Sequence, residues 1–404
     1  MKLENHNMKH LVFCWEYGAG YGHIAGFIPI AKYLKSAGVK VSWILKHLDH
    51  AHLIRENGFE DEWILQAPIA KNTNATKQQT VNYSQIMTFL GFSNEQACLN
   101  LVSSWRDSLQ LLNADMIVAD HAPAAIIASQ TLNIKRCMIG TGFFSPPRVD
   151  KTPAFSLFNN VPENKIAELD NYLVKVANYT LTHFKQQPIT KVAELFSVEE
   201  DFLCTFPELD HYTNRKNQEY WGARFSSSMG KKIDFTSDKF KIFVYIHSNM
   251  RDFEQLLTAL NNIEAETILH VPKLNVERAS LQFTNLTFSP EPIEMDHVLN
   301  QVDLAICNAG HGTVAAVLLA GKRLLLVPNQ LEQRILTQRL IQQGLAATFY
   351  SSNRQVDFET TLKQMMLDSK IQANVQNFQN LYWGYDSKDQ AKAIADCCLD
   401  ILAE

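Results

Sequence analysis

No stretch of this 404-residue sequence approaches the ~18 consecutive apolar residues that a membrane span requires. Near the N-terminus, the apolar run Leu11 to Trp15 is cut short by Glu16, so neither an integral membrane segment nor an export signal is expected. Surplus positive charge is also missing. The net charge is −5, and Lys and Arg are not gathered into runs, which excludes nucleic acid as a partner because nothing would neutralise a phosphate backbone. The seven cysteines, Cys14, Cys98, Cys137, Cys204, Cys307, Cys397 and Cys398, form no disulfide framework. They are odd in number, scattered and mostly inside apolar runs, as expected of free thiols in a reducing cytoplasm.

Apolar material itself is ample. A 46% hydrophobic content over 404 residues fills two cores more readily than one, because single cores stop growing at about 250–300 residues. The chain opens with an apolar strand, Lys9 to Trp15, then Gly18-Ala19-Gly20-Tyr21-Gly22-His23, then a helical pattern from Ile24 to Ser36 closed by Gly38. Strands at Val39 to Leu45, Met116 to Ala119 and Lys135 to Ile139 alternate with helices at Ala51 to Asn57 and Ala124 to Leu132. That alternation predicts a doubly wound parallel sheet. From Thr141 to about Leu203 it breaks, and long helical stretches with exposed-looking Phe155 and Phe158, Phe144 just ahead of them, suggest an inserted lid or pocket wall. After a strand at Phe202 to Phe206, the polar stretch Arg224 to Lys239 reads as a linker.

A second alternation follows. Strands are expected at Lys241 to Ile246, Thr267 to Val271, Leu286 to Phe288, Leu304 to Cys307 and Arg323 to Val327, with a closing helix from about Asp389 to Leu402. The expected organisation is a Rossmann-like domain over 1–225 with a helical insertion, a second over 238–385, and a C-terminal helix at 386–404 packing back on the first. Ligands of such sheets sit beyond the carboxyl ends of the strands, so the site is expected in a cleft between the domains.

The densest signal is Cys307-Asn308-Ala309-Gly310-His311-Gly312-Thr313, a buried strand running into a turn and a helix. Backbone N–H groups at a helix start lack partners and carry roughly half a positive charge, which suits a diphosphate. The next strand ends at Pro328, and Glu332-Gln333 follow it. This region resembles the inverting GT-B glycosyltransferases that include the macrolide and plant secondary-metabolite (UDP-glycosyltransferase) enzymes. The resemblance rests on Cys307 to Thr313, Ala320-Gly321-Lys322, Leu324 to Pro328 and Glu332-Gln333. It is dense over residues 285–350 and thin over the first 140.

The resemblance implies a GT-B fold in the α/β class, two doubly wound Rossmann-like domains facing across a cleft. It also implies a nucleotide sugar donor, UDP- or dTDP-linked, and a small-molecule acceptor bearing a hydroxyl. Asn308, Gly310, His311, Gly312 and Thr313 would hold the nucleotide, and Glu332 and Gln333 the sugar hydroxyls. Three positions depart from the family: its phosphate-binding histidine is Asn308, its ribose-binding glutamate is Ala316, and the proline three residues after its first-domain histidine is Gly26. Loss of the ribose carboxylate costs least with a deoxyribose donor.

Inversion needs a base for the acceptor proton, and histidine titrates in the right range. His23, in a glycine turn after the first strand, is that candidate, with Asp120 to orient it and steady the imidazolium, as the resemblance implies. Asp120 also reads as an N-cap of the helix near Pro123, and His121 competes for either role. Tyr21, Gly22 and Phe143 are placed in the acceptor pocket. No metal or cofactor beyond the nucleotide sugar co-substrate is expected, because the sequence has no Asp-x-Asp pair and a helix start supplies positive field. His47, Asp49, His50 and His52 read as a solvated helix start rather than a metal site, and Gly18 to Gly22 lacks the spacing of a dinucleotide fingerprint. Two other functions stay open: a lipid-linked cell-wall sugar transferase, and a non-catalytic auxiliary protein of the same fold. Oligomeric state is open as well, a homodimer included.

Overall fold

The computed structural model describes residues 8–18, 22–70, 80–157, 161–213, 215–225, 230–350 and 356–404. It divides into two compact units, one of residues 1–206, 212–224 and 387–404, the other of 207–211 and 225–386.

The first unit holds a parallel sheet of β1 (His10–Trp15), β2 (Lys40–Leu45), β3 (Ile64–Gln66), β4 (Met116–Asp120), β5 (Lys135–Gly140) and β6 (Glu200–Leu203). Its strand order is β3-β2-β1-β4-β5-β6. β1 and β4 are buried throughout, as expected of strands covered on both faces. The helices are α1 (Gly22–Ser36), α2 (Ala51–Arg55), α3 (Tyr83–Phe89), α4 (Glu95–Leu112), α5 (Pro123–Thr131) and α6 (Glu163–His183). Asn94 caps α4 by accepting from the Ala97 N–H at 2.9 Å, and Asn113 in the left-handed region ends it.

The second unit repeats this plan with β7 (Phe240–Tyr245), β8 (Ala265–His270), β9 (Leu286–Ser289), β10 (Leu304–Cys307), β11 (Arg323–Leu326) and β12 (Ala347–Thr348), in the order β12-β11-β10-β7-β8-β9. Around them lie α7 (Phe253–Asn262), α8 (Val276–Gln282), α9 (Met295–Leu299), α10 (His311–Leu319), α11 (Leu331–Gln342), α12 (Phe358–Leu367) and α13 (Ser369–Leu381). In each sheet the order reverses between two central strands, β1 and β4 in the first, β7 and β10 in the second. Ligands of open α/β sheets bind beside that reversal, where the connections diverge to opposite faces and leave a crevice.

The closing helix, α14 (Ser387–Ala403), belongs to the first unit. Its Ile394, Ala395, Cys398 and Leu402 enter the same apolar cluster as Phe27, Ile30 and Leu34 of α1, and a fully buried Leu or Ile is worth about 1.5–3 kcal/mol. All seven cysteines are free thiols, six of them buried. Among the described residues, no helix is long and apolar enough to cross a membrane.

One expectation about the middle of the chain needs correction. Phe155 is fully buried, stacked on Phe143 with ring centroids 5.3 Å apart, so it is core rather than an exposed lid face. Phe158 lies outside the described residues. The stretch expected to be a linker contains the boundary between the two units, which falls after Arg224. Arg224 belongs to the first unit, while Lys231 bridges to Ile293 and the Glu266 carboxylate accepts from the Thr236 and Ser237 N–H groups at 2.8 Å.

Candidate active site

Parallel register places Trp15, the last residue of β1, beside Asp120, the last of β4. His23 is the second residue of α1, the helix that follows β1, and its imidazole stands at the end of β4. Nδ1 of His23 lies 2.9 Å from Asp120 Oδ2, with the imidazole 12% and the carboxylate 1% exposed. The imidazole is stacked on Trp15 at 4.9 Å, and Phe144 stands 5.9 Å away. Arg224 Nη2 donates to the same carboxylate oxygen. Burial alone would raise the Asp120 carboxyl, but the charges of His23 and Arg224 and their hydrogen bonds outweigh it and hold the group well below the usual carboxylate range. An ionised carboxylate only accepts, so Nδ1 carries a proton, and in the neutral imidazole the lone pair is on Nε2.

Gly18 provides the room for that nitrogen. Its φ is +105°, and a Cβ there would stand 2.6 Å from His23 Nε2. Gly18→Ala is therefore expected to displace the imidazole while leaving the sheet folded; a turnover close to that of the parent, with parental thermal stability, would contradict this account of the turn.

His121 is excluded as the base. It has a φ of +45°, its ring is stacked on Phe144 at 4.0 Å, and burial followed by the charge of His23 pushes it down to about 3. Nor does Asp120 cap α5. The N-cap position is Ala122, without a side-chain bond, and the Ala124 N–H is instead satisfied by Glu16 Oε2 at 2.9 Å. Of the acceptor-pocket candidates, Gly22 is exposed at the start of α1, Phe143 is buried against Phe155, and Tyr21 lies outside the described residues. Phe144, the residue after Phe143, is the one of that pair that stands beside His23.

In the second unit, α10 begins at His311 with Gly310 as its N-cap. Ala309 takes φ +60°, a left-handed conformation that a Cβ disfavours, and such strain persists where surrounding structure enforces it. Enforcement comes from Asn308, whose Oδ1 accepts from the His247 N–H at 2.7 Å and whose Nδ2 donates to the Val327 carbonyl at 2.8 Å. The amide thus ties together the ends of β7, β10 and β11, and one of its N–H bonds is left over. Gln333 accepts the Asn329 and Gln330 N–H groups at 2.8 and 3.2 Å, which caps α11. Glu332 lies 3.9 Å from His211, whose ring runs near-parallel to that of His311 at 6.3 Å. Residues 207–211 reach this place because α11 holds them: Arg339 donates to the Pro207 carbonyl at 3.2 Å and Gln343 to that of Glu208 at 2.7 Å. Sequence reasoning missed His211, Arg224 and Glu16. Each acts on a group roughly a hundred residues distant, and no local pattern announces that. Among the described residues, no three His, Cys, Asp or Glu side chains gather as a metal site.

Residues 248–390 match the glycosyltransferase family 28 C-terminal domain. None of the curated proteins matches the sequence. Solved structures do. The chain is similar to the glycosyltransferase VinC in complex with dTDP, at 13% identity over 98% of this chain and 100% of that one, with a TM-score of 0.66. It is similar also to SnogD from Streptomyces nogalater, at 13% identity over 96% and 99% of the two chains with a TM-score of 0.63. The spinosyn rhamnosyltransferase SpnG complexed with thymidine diphosphate gives 14% identity, 96% and 100% coverage and a TM-score of 0.65. At these identities the likeness carries the fold, which is GT-B, and the domain match adds the class: a glycosyltransferase of the GT-B type.

Proposed function

We propose that the chain moves a sugar, with inversion, from a UDP or dTDP donor onto a hydroxyl of a small natural-product-like acceptor. The observation that carries this reading is the 2.9 Å contact between His23 Nδ1 and the buried Asp120 carboxylate at the strand-order reversal of the first sheet. His23 Nε2 takes the acceptor proton as the oxygen attacks the anomeric carbon, and Asp120 steadies the imidazolium. The nucleoside diphosphate departs against the N–H groups of residues 310–313 and the start of α10, with Glu332 and Gln333 at the sugar hydroxyls. VinC was solved with dTDP, and SpnG with thymidine diphosphate and with the spinosyn aglycone, which supports this donor and acceptor class. Ala316 favours the deoxyribose donor, having no carboxylate for a ribose diol. The free thiols fit a reducing cytoplasm.

The test pairs calorimetry on dTDP- and UDP-sugars with a turnover assay on the parent and His23→Ala. Donor binding should survive the substitution, and turnover should fall by about 10²–10⁴-fold, the usual worth of a positioned base. Undiminished turnover in His23→Ala would sink the mechanism, and binding without turnover in the parent across an acceptor panel would favour an auxiliary protein.

A further inference from the structure

Arg224 lies outside every motif of the sequence, yet its guanidinium reaches the carboxylate that orients His23. We propose that Arg224 is a positioning residue that sets the pH above which His23 works as a base, and that Gly26 is the gap that admits it. The inference rests on His23 being the base.

Both His23 Nδ1 and Arg224 Nη2 bind one oxygen of Asp120, while Oδ1 has no partner. A carboxylate facing an imidazole alone favours the imidazolium, so the base would be blocked by its own proton until the pH rose. A guanidinium on the same oxygen cancels part of that field. Nδ1 stays anchored, and Nε2 is freed at lower pH. The other groups facing His23 do not replace this effect. His121 is neutral, Lys46 adds a charge of the same sign as Arg224 but is bound to the Gly18 carbonyl at 2.5 Å and not to Asp120, and Cys204 is a thiol pushed up to about 12 by burial. Trp15 and Phe144 bring no charge. The first turn of α1 adds positive field of the same sign as Arg224.

Gly26 explains how an arginine fits there. It lies inside α1, where glycine is the poorest choice after proline. A Cβ on it would stand 2.6 Å from Arg224 Cδ and 2.8 Å from Cζ. The guanidinium also lies over the Phe27 ring at 5.4 Å. The missing Cβ of Gly26 is thus the space that the Arg224 side chain fills.

The experiment is an NMR titration of the imidazoles in the full-length, histidine-labelled chain, with His23 assigned from the signals lost in His23→Ala. Arg224→Met should raise the His23 midpoint by about one pH unit, and the acid limb of kcat/KM should rise with it. Arg224→Lys should stay nearer the parent. Gly26→Ala keeps the charge but pushes the guanidinium aside, so it should shift the midpoint in the same direction as Arg224→Met. It also serves if Arg224→Met fails to fold. A His23 midpoint unmoved, or lowered, in the folded variants overturns the inference. Retained turnover in His23→Ala would instead remove the base reading, while the titration would still report whether Arg224 governs the imidazole.

Discussion

Asp120→Asn is expected to lower turnover by about 10³–10⁴-fold, the loss seen when a His–Asp pair is left with the wrong tautomer. An amide offers its NH₂ to Nδ1 as readily as its oxygen, so the proton moves to Nε2 and the lone pair faces the wrong way. The same change removes the partner of Arg224, whose Nη1 already lacks a hydrogen bond. Breaking a buried ion pair by removing one member costs about 3–5 kcal/mol. Both effects should therefore appear together, the first in kcat at saturating donor and the second in the urea midpoint. The sign with pH is also fixed. A carboxyl held low in the folded state contributes stability above its unfolded value, and that contribution is lost as the pH falls below about 4. The parent should lose its stability advantage over Asp120→Asn in that window, and turnover within about tenfold of the parent would count against the catalytic role.

Glu16→Gln should change the pH dependence of stability most. Glu16 is fully buried, and burial raises its carboxyl to about 8 even though the N–H groups of Ala124 and Ala125 pull the other way. A group raised in the folded state contributes stability that is complete below its unfolded value and fades as the pH climbs to the folded one. The window is therefore about pH 4.5 to 8, with a slope of about 1.4 kcal/mol per pH unit. Glutamine keeps an oxygen for the Ala124 N–H and has no proton to lose. Relative to the parent, the variant should gain about 3–5 kcal/mol between the two ends of that window. Urea unfolding at three pH values reads this directly, and a stability difference that does not vary with pH would show that Glu16 is ionised in the fold.

Much of the architecture was legible because parallel strands and their glycine turns are local. Leu11 to Trp15, the turn and α1 are adjacent in sequence, and so are β10, the turn at Ala309 and α10. His23 and Asp120 stood out as candidates because one comes after β1 and the other ends β4. The remaining features depend on distant partners. Arg224 looked like the start of a linker because its neighbours are polar, whereas its own partner is in β4. Glu16 looked like the end of an apolar run, yet it caps a helix that starts at Pro123. Phe155 looked exposed because nothing in the spacing reveals that it stacks on Phe143. β12, two residues long, is too short to carry an alternation.

The position of α14 carries a consequence for biosynthesis. The flank of the first sheet covered by Ile394, Ala395, Cys398 and Leu402 is completed by residues translated after the whole of the second unit. Until they leave the ribosome, Phe27, Ile30 and Leu34 have an incomplete apolar neighbourhood, so the half of the molecule made first is the half whose core is finished last.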